Sequence, residues 1–262
     1  MSTLAPETQA CYARALEALN DAGAPALVGG SWALARYTGI ARHTKDFDVF
    51  LLRSDCEAAF AALRGAGFHT ELTFPHWLGK AFAGEDLVDL IFSSGNAVVL
   101  VDDEWFTYAL DDEIFGVPVK LCPAEETIWS KAFIMERERF DGADVAHLIR
   151  ARGDKLDWSR LLRRFGPRWR VLLSHLILYG FIYPAERARV PEAVMQELLA
   201  RLTAELREPP PSSRVCQGTI LSRAQYRVDV DRWGYADARL PPLGSMTGEQ
   251  IAHWTAAIER DG

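Results

Sequence analysis

The first half of the chain alternates between two hydrophobic patterns, one typical of helices and one typical of strands. Helical spacing over residues 10–22 places Tyr12, Leu16 and Leu19 on one stripe. Short apolar runs bounded by glycine, proline or aspartate predict strands. These predicted strands are Ala26–Val28, Phe47–Leu52, Phe68–Phe74, Lys80–Phe82, Leu87–Phe92, Ile114–Phe115 and Val117–Leu121. Further helices are predicted at Ser31–Tyr37, at Cys56–Arg64, after Pro123 and at Asp141–Arg150.

This order of elements predicts an α+β fold and a division into three regions. Strands and helices interleave over residues 1–122, which favours a mixed sheet with flanking helices. Residues 123–207 are mainly helical. A proline-rich linker opens residues 208–262, followed by a tail rich in arginine and aromatic residues that we expect to pack on the body of the protein. A last helix is predicted from about Gly248.

Composition and charge narrow the function classes. Of 262 residues, 49% are apolar and 25% are charged, as expected of a soluble globular protein. The net charge of −7 argues against broad nucleic-acid binding. The longest apolar run, Leu172–Ile182, is too short to span a bilayer and predicts a buried helix. Widely spaced cysteines and a polar start without a signal pattern lead us to expect free thiols and a cytoplasmic protein.

Three aspartates lie in unusually apolar surroundings. Asp46 and Asp48 are two residues apart on a predicted strand, so their side chains share one face. Asp89 lies on a later apolar strand, Leu87–Phe92. Burying a carboxylate is costly unless it binds something, and converging carboxylates are ligands for a hard divalent cation. The sequence therefore predicts a Mg²⁺ or Mn²⁺ site at Asp46, Asp48 and Asp89.

A second motif, Gly29-Gly30-Ser31, lies where a predicted strand turns into a helix. Glycines let the backbone approach a phosphate closely, and a helix N-terminus carries partial positive charge. Ser31 is placed to cap the helix and to offer its hydroxyl. Because Mg²⁺ prefers a few carboxylates plus phosphate oxygens, a nucleoside triphosphate is the expected second ligand.

This combination of motifs resembles the nucleotidyltransferase superfamily with the polymerase-beta-like fold. The shared features are a glycine turn, a helix, an Asp-x-Asp strand and a third acidic residue on a later strand. The run from Arg42 to Asp48 looks like the Arg-x-Thr-x-Asp-x-Asp of bacterial minimal nucleotidyltransferases and of AbiEii-like toxins. The resemblance covers about residues 20 to 150. The gap between Gly30 and Asp46 is longer here than in the tightest versions of the motif.

The resemblance implies a reaction and roles for these residues. An active member would move a nucleoside monophosphate from ATP or another NTP to an acceptor hydroxyl and release pyrophosphate. Asp46 and Asp48 would ligate Mg²⁺, while Asp89 would share one ion and act as base or electrostatic helper. Gly29, Gly30 and Ser31 would hold the triphosphate. The acceptor stays open between a small molecule, a protein and a tRNA end.

Several charged residues are secondary candidates. Arg42 and Lys45 precede the acidic strand and would contact phosphates, or else belong to a solvated loop. Lys131, on the helix after Pro123, would reach the triphosphate by resemblance, or else is an ordinary surface lysine. The histidine at position 175 is expected to be a core residue. The remaining charged candidates are Asp141 and Asp144, expected to brace a helix, and Arg160, Arg163, Arg164, Arg168 and Arg170, expected to form a solvated helix face.

Two other functions compete with the nucleotidyltransferase hypothesis. One is a non-catalytic nucleotide- or partner-binding module of the same fold, such as a toxin–antitoxin component with a small antitoxin-like partner protein. The other is a metal-dependent phosphohydrolase of the haloacid-dehalogenase kind. That class needs a threonine two residues after the second aspartate, where this chain has Phe50. The retained carboxylates argue against the first alternative, because an unused site has little reason to keep buried charge.

Overall fold

The computed structural model of the protein describes residues 4–41 and 46–257. Its α-helices are α1 (Pro6–Asp21), α2 (Gly30–Thr38), α3 (Cys56–Gly65), α4 (Asp103–Thr107), α5 (Ala124–Ala132), α6 (Gly142–Arg152), α7 (Trp158–Phe165), α8 (Trp169–Ile182), α9 (Glu192–Glu205), α10 (Arg227–Asp231) and α11 (Gly248–Ala256). Its strands are β1 (Leu27–Val28), β2 (Phe47–Phe50), β3 (His69–Phe74), β4 (Leu78–Ala83), β5 (Asp86–Ile91), β6 (Leu110–Ile114), β7 (Val117–Leu121), β8 (Val215–Cys216) and β9 (Ala236–Asp237).

These elements confirm the α+β prediction, and most predicted helices and strands lie within a few residues of the observed ones. The short helix α4 has no counterpart in the sequence prediction. The chain divides into two compact units. The first lies within residues 1–123 and 244–262, and the second is Ala124–Leu243. No helix among the described residues is long and apolar enough to cross a bilayer.

The first unit contains a mixed seven-stranded sheet in the order β3-β4-β5-β2-β1-β7-β6. Strand β2 pairs antiparallel with β1 and parallel with β5. Strand β1 also pairs parallel with β7, and the two edges are antiparallel hairpins, β3-β4 with β5 and β6 with β7. The short central strands β1 and β2 therefore hold the two edges of the sheet together.

The two faces of this sheet differ in character. Phe47, Val49 and Leu90 point to one face and are completely buried. They belong to a core that includes apolar residues of α1 and α3, such as Leu16 and Leu63. Side chains alternate along a strand, so Asp48 and Phe50 of β2 point to the opposite face. The polar residues of the central strands lie on that second face, which we call the open face.

The helix α11 belongs to the first unit although the second unit precedes it in the chain. Its Trp254 packs edge-on against Phe74 and Trp77, with ring centroids 4.9 and 5.0 Å apart. A capping box at Thr247 begins this helix, because its hydroxyl and the Gln250 side chain satisfy each other's backbone N–H groups. An aromatic contact thus secures the helix to the sheet.

In the second unit, α5 packs on α6 and α7, and α8 packs on α6, α7 and α9. The short parallel pair of β8 and β9 lies in the segment after α9. The prediction that Leu172–Ile182 forms a buried helix is half wrong. The helix exists as part of α8, and Leu172 and Leu176 are buried, but Phe181 is 81% exposed. An apolar run does not reveal on how many sides a helix is covered.

The prediction of a solvated arginine face is wrong for two of its members. Arg160 is buried and donates to Glu125, with a distance of 2.6 Å between Nη2 and Oε2, and also to Glu126. Arg164 also donates to Glu126, which is fully buried, over 3.0 Å. Burial raises the pKa of Glu126 even though both arginines oppose the rise. The four residues Glu125, Glu126, Arg160 and Arg164 on α5 and α7 therefore form a buried charge network rather than a solvated surface.

Removing Arg160 should cost far more stability than removing an exposed arginine nearby. Replacing Arg160 by methionine leaves two carboxylates in the interior without their shared cation. We expect the free energy of unfolding to fall by about 3 to 5 kcal/mol. The matched change at Arg170, whose ion pair with Glu205 is exposed, should cost less than about 1 kcal/mol. Urea denaturation measures both, and equal losses would contradict this account of the network.

Candidate functional site

Three carboxylates converge on the open face of the central sheet. The parallel register of β2 and β5 sets Asp48 directly beside Asp89, and Asp46 lies just before β2 begins. Each residue offers one oxygen, and these oxygens lie within 4.8 Å of one another. Asp89 is buried, whereas Asp46 and Asp48 are half-buried. The structure therefore brings the three predicted ligand residues together.

The sequence forces this arrangement through strand alternation. With Phe47 and Val49 committed to the core, the aspartates at 46 and 48 must face the other way. On β5, Val88 and Leu90 are equally buried, so Asp89 must also face the open side. Two neighbouring strands with apolar residues on one face thus present their carboxylates on the other.

The glycine pair lies against the same strand. The backbone N–H of Gly29 donates to the carbonyl oxygen of Asp48 over 3.0 Å. Gly30 has a φ of +53°, and a Cβ on it would lie 1.6 Å from Asp48 Oδ2. A Cβ on Gly29 would in turn lie 2.3 Å from the Phe50 ring. Any side chain at either position would collide with β2, so the beginning of α2 lies against the Asp48 carboxylate.

The prediction that Ser31 caps this helix is wrong. The helix begins at Gly30, with Gly29 as the N-cap, and no side chain caps it. Ser31 is therefore the second residue of the helix and not the residue that precedes it. Ser31 Oγ is instead buried and has no hydrogen-bond partner among the described residues. A buried hydroxyl without a partner is costly unless a ligand completes it.

A residue that the sequence analysis did not single out, Lys80, completes the site. It lies on β4 directly opposite Asp89, and its Nζ is 3.5 Å from Asp89 Oδ1. The signal was present in the chain. The β4-β5 hairpin turns at Gly84-Glu85, and counting back from a two-residue turn pairs position 80 with position 89.

The electrostatics of the site centre on Asp89. Burial raises the pKa of Asp89 to about 6, with Lys80 opposing the rise and Asp46 adding to it. The carboxylate is therefore costly to keep ionised without a cation beyond Lys80. Three carboxylate oxygens at this spacing fit the ligand preference of Mg²⁺ and Mn²⁺, and the partnerless Ser31 hydroxyl fits a phosphate oxygen.

Other predicted site residues lie elsewhere. Arg42 and Lys45 fall outside the residues that the structure describes, so their contact with phosphate stays a prediction. Lys131 lies in the second unit, where it is buried and pairs with Asp141 at 2.9 Å and Asp144 at 2.7 Å. Its predicted contact with the triphosphate also stays a prediction. The two aspartates hold the start of α6 against α5 through this lysine.

The expected core histidine is found. His175 is buried on α8, and its Nε2 lies 2.9 Å from the carbonyl oxygen of Ala132. Burial lowers the pKa of this imidazole. It satisfies a backbone group at the end of α5.

Comparison with solved structures finds partial likenesses. The solution structure of the antibiotic-resistance factor ANT(2″)-Ia is 17% identical, with a TM-score of 0.41, over 78% of this chain and 97% of that chain. The crystal structure of ANT(2″)-Ia in complex with adenylyl-2″-tobramycin is 18% identical, with a TM-score of 0.39, over 75% and 99%. The crystal structure of JHP933 from Helicobacter pylori is 11% identical, with a TM-score of 0.39, over 79% and 100%.

Comparison with protein-family models and with curated proteins finds no match.

Neutralising Asp89 should stabilise the metal-free protein. The pKa of this group is raised from 3.8 to about 6, so the folded protein binds its proton more tightly than the unfolded chain does. The resulting penalty is absent below about pH 4 and grows as the pH rises through 6. We expect Asp89→Asn to raise the free energy of unfolding by about 1 to 3 kcal/mol at pH 7.5 in EDTA.

Urea denaturation of both proteins at pH 4.0 and pH 7.5 measures this effect. The gain from Asp89→Asn should become small at the lower pH, because the wild-type carboxyl is then protonated in the folded protein and only partly ionised in the unfolded chain. A variant that is less stable than wild type at pH 7.5 would contradict the account. Mn²⁺ should stabilise the wild type but not the variant.

Gly30→Ala should be much more harmful than Gly39→Ala. Both glycines have positive φ, but of the two only a Cβ at position 30 meets another atom of the described residues. We expect the change at Gly39 to cost about 1 to 2 kcal/mol from backbone strain alone. The change at Gly30 should cost about 2 to 5 kcal/mol, because the collision with Asp48 adds to the strain.

A second substitution isolates the collision. In the Gly30→Ala background, Asp48→Gly removes the atoms that the new methyl group meets and should recover the excess cost. Thermal and urea unfolding of the single and double variants form the cycle. Equal costs at the two glycines would refute the close contact.

Proposed function

We propose that this protein is a metal-dependent nucleotidyltransferase that moves a nucleoside monophosphate from ATP or another NTP to an acceptor hydroxyl. The proposal rests on one observation: three carboxylates converge beside the start of α2, where Gly30 lies against the Asp48 carboxylate. A carboxylate cluster alone suits many cations. The start of α2 beside this cluster, together with a buried serine hydroxyl that has no partner in the described part of the chain, suits a cation that arrives with phosphate.

Asp46, Asp48 and Asp89 are the residues that would hold Mg²⁺ or Mn²⁺. When bound, the metal supplies positive charge to the phosphate oxygens and to the attacking hydroxyl. The backbone N–H groups at the start of α2 and the Ser31 hydroxyl donate to phosphate oxygens and orient the nucleotide. Because Gly30 has no side chain, phosphate can come close to the Asp48 carboxylate.

Asp89 is suited to accept the proton of the acceptor hydroxyl. A base must be ionised and close to the proton that it accepts, and Asp89 lies in the same cluster as the two aspartates at β2. A bound divalent cation would lower the pKa of Asp89 below its metal-free value of about 6 and keep the carboxylate ionised at neutral pH. The acceptor oxygen then attacks the α-phosphorus, its bond to phosphorus forms, and pyrophosphate leaves with the electrons of the broken bond.

Several acceptors fit the proposed reaction. A small molecule, a protein hydroxyl or a tRNA end each supplies the nucleophile that the chemistry needs. The non-catalytic binding module, such as a toxin–antitoxin component, stays the alternative prediction, and the AbiEii-like resemblance also stays a prediction. The residues of the site select a reaction rather than an acceptor.

Transfer of labelled nucleotide tests the reaction directly. The protein is incubated with each α-³²P-labelled NTP and Mg²⁺, alone and with cell extract, beside the variant Asp46→Asn/Asp48→Asn. We expect label to reach a small-molecule, protein or RNA fraction with wild type, and to fall at least about a hundredfold with the double variant. EDTA should abolish the transfer.

Asp111→Asn is the matched control, because this exposed carboxylate on β6 belongs to the same sheet but not to the acidic cluster. It should label as wild type does. Equal labelling by the Asp46/Asp48 double variant would refute the proposed site. Metal-dependent NTP binding without transfer to any extract fraction would instead favour the non-catalytic binding module.

A further inference from the structure

The open face of the sheet carries a row of charged side chains that crosses four strands. Cross-strand register aligns Glu71 of β3, Lys80 of β4, Asp89 of β5 and Asp48 of β2. Residues directly opposite on neighbouring strands lie about 5 Å apart and interact across the face. Lys80 is thus a cation between an exposed carboxylate and the edge of the acidic cluster.

The contact between Lys80 and Asp89 is close but accessible. The distance from Nζ to Oδ1 is 3.5 Å, and the lysine side chain is 25% exposed, against 12% for the aspartate. Asp89 Oδ1 itself is buried and accepts no hydrogen bond within the described part of the chain. The ammonium therefore approaches the carboxylate as a counter-charge, without a short bond that would fix it there.

A divalent cation held by the cluster would share Asp89 with this ammonium. Two cations on one carboxylate repel each other, and the repulsion is strong where water is partly excluded. Lysine carries a point charge on a flexible four-carbon stem, so it can leave one anion for another without moving the backbone. The proposed substrate would bring phosphate oxygens to the cluster, and Lys80 could pair with these oxygens instead of with Asp89.

We propose that Lys80 is a positioning residue that exchanges partners: it pairs with Asp89 while the metal is absent and pairs with the phosphates of the nucleotide when the metal is bound. This inference rests on the proposed function. It predicts two effects of opposite sign when the ammonium is removed. Metal alone binds more tightly, because its competitor is gone, and metal-bound polyphosphate binds more weakly, because one phosphate contact is gone.

Substitutions at Lys80 and at one other lysine test the exchange. Lys80→Met removes the charge and keeps the stem, and Lys80→Arg keeps the charge. Lys120→Met is the matched control, since Lys120 makes a cross-strand ion pair of 2.9 Å with Asp111 in the same sheet. Strand β1 separates its strand, β7, from β2, so this pair lies apart from the acidic cluster.

Calorimetry on the full chain supplies the readout, with Mn²⁺ alone and then inorganic tripolyphosphate in saturating Mn²⁺. Tripolyphosphate needs no knowledge of the preferred base. For Lys80→Met we expect the Kd for Mn²⁺ to fall about threefold to tenfold and the Kd for tripolyphosphate to rise by a similar factor. Lys80→Arg should restore the wild-type tripolyphosphate affinity, and Lys120→Met should change neither constant.

The outcomes separate the two proposals. A wild type that binds no Mn²⁺ overturns the proposed function and, with it, the role of Lys80. A wild type that binds Mn²⁺, beside a Lys80→Met variant whose Mn²⁺ affinity is unchanged or weaker, overturns the partner exchange alone. Unchanged tripolyphosphate binding by Lys80→Met also overturns it. A misfolded variant would bind both Mn²⁺ and tripolyphosphate more weakly. Tighter Mn²⁺ binding by Lys80→Met therefore cannot come from damage to the fold.

Discussion

The structure of the first unit depends on the parallel pairing of β2 with β5. This pairing places Asp48 directly beside Asp89, and like charges opposite each other on a sheet repel. The strands hold this unfavourable register because Phe47, Val49, Val88 and Leu90 are buried on the other face. A slip by one residue would expose that apolar set and bury the carboxylates in the core. Burial of apolar side chains on one face therefore keeps the two carboxylates close together on the other face, although they repel each other.

The same repulsion explains why positive charge lies around the carboxylates. Lys80, on β4, partly offsets the negative charge of the cluster. The beginning of α2, which follows β1, brings the partial positive charge of a helix N-terminus. Neither is enough to return the pKa of Asp89 to an ordinary value. A site whose negative charge is not fully balanced in the free protein gains the most free energy from binding a metal and a phosphate. The free protein is less stable for this reason, as expected where stability is given up for function.

The sequence predicted much of this site, because alternation and apolar flanks are local signals. The face shared by Asp46 and Asp48 follows from their spacing, and the convergence of Asp89 needed only that its strand be a neighbour. Lys80 was missed because its place depends on hairpin register. Ser31 was misassigned because the helix begins one residue earlier than the sequence indicates. In the second unit, Arg160 looked like a surface residue, since its partners on α5 lie more than thirty positions earlier in the chain.

The placement of α11 has a consequence for biosynthesis. The chain leaves the first unit after Pro123 and rejoins it at Gly244, so the second unit is an insertion within a discontinuous domain. During synthesis on the ribosome, the sheet emerges long before the residues whose Trp254 covers Phe74 and Trp77. The apolar residues at that edge of the sheet stay uncovered while about 120 residues of intervening chain are synthesised. During such a delay a nascent domain is prone to aggregate and to recruit chaperones.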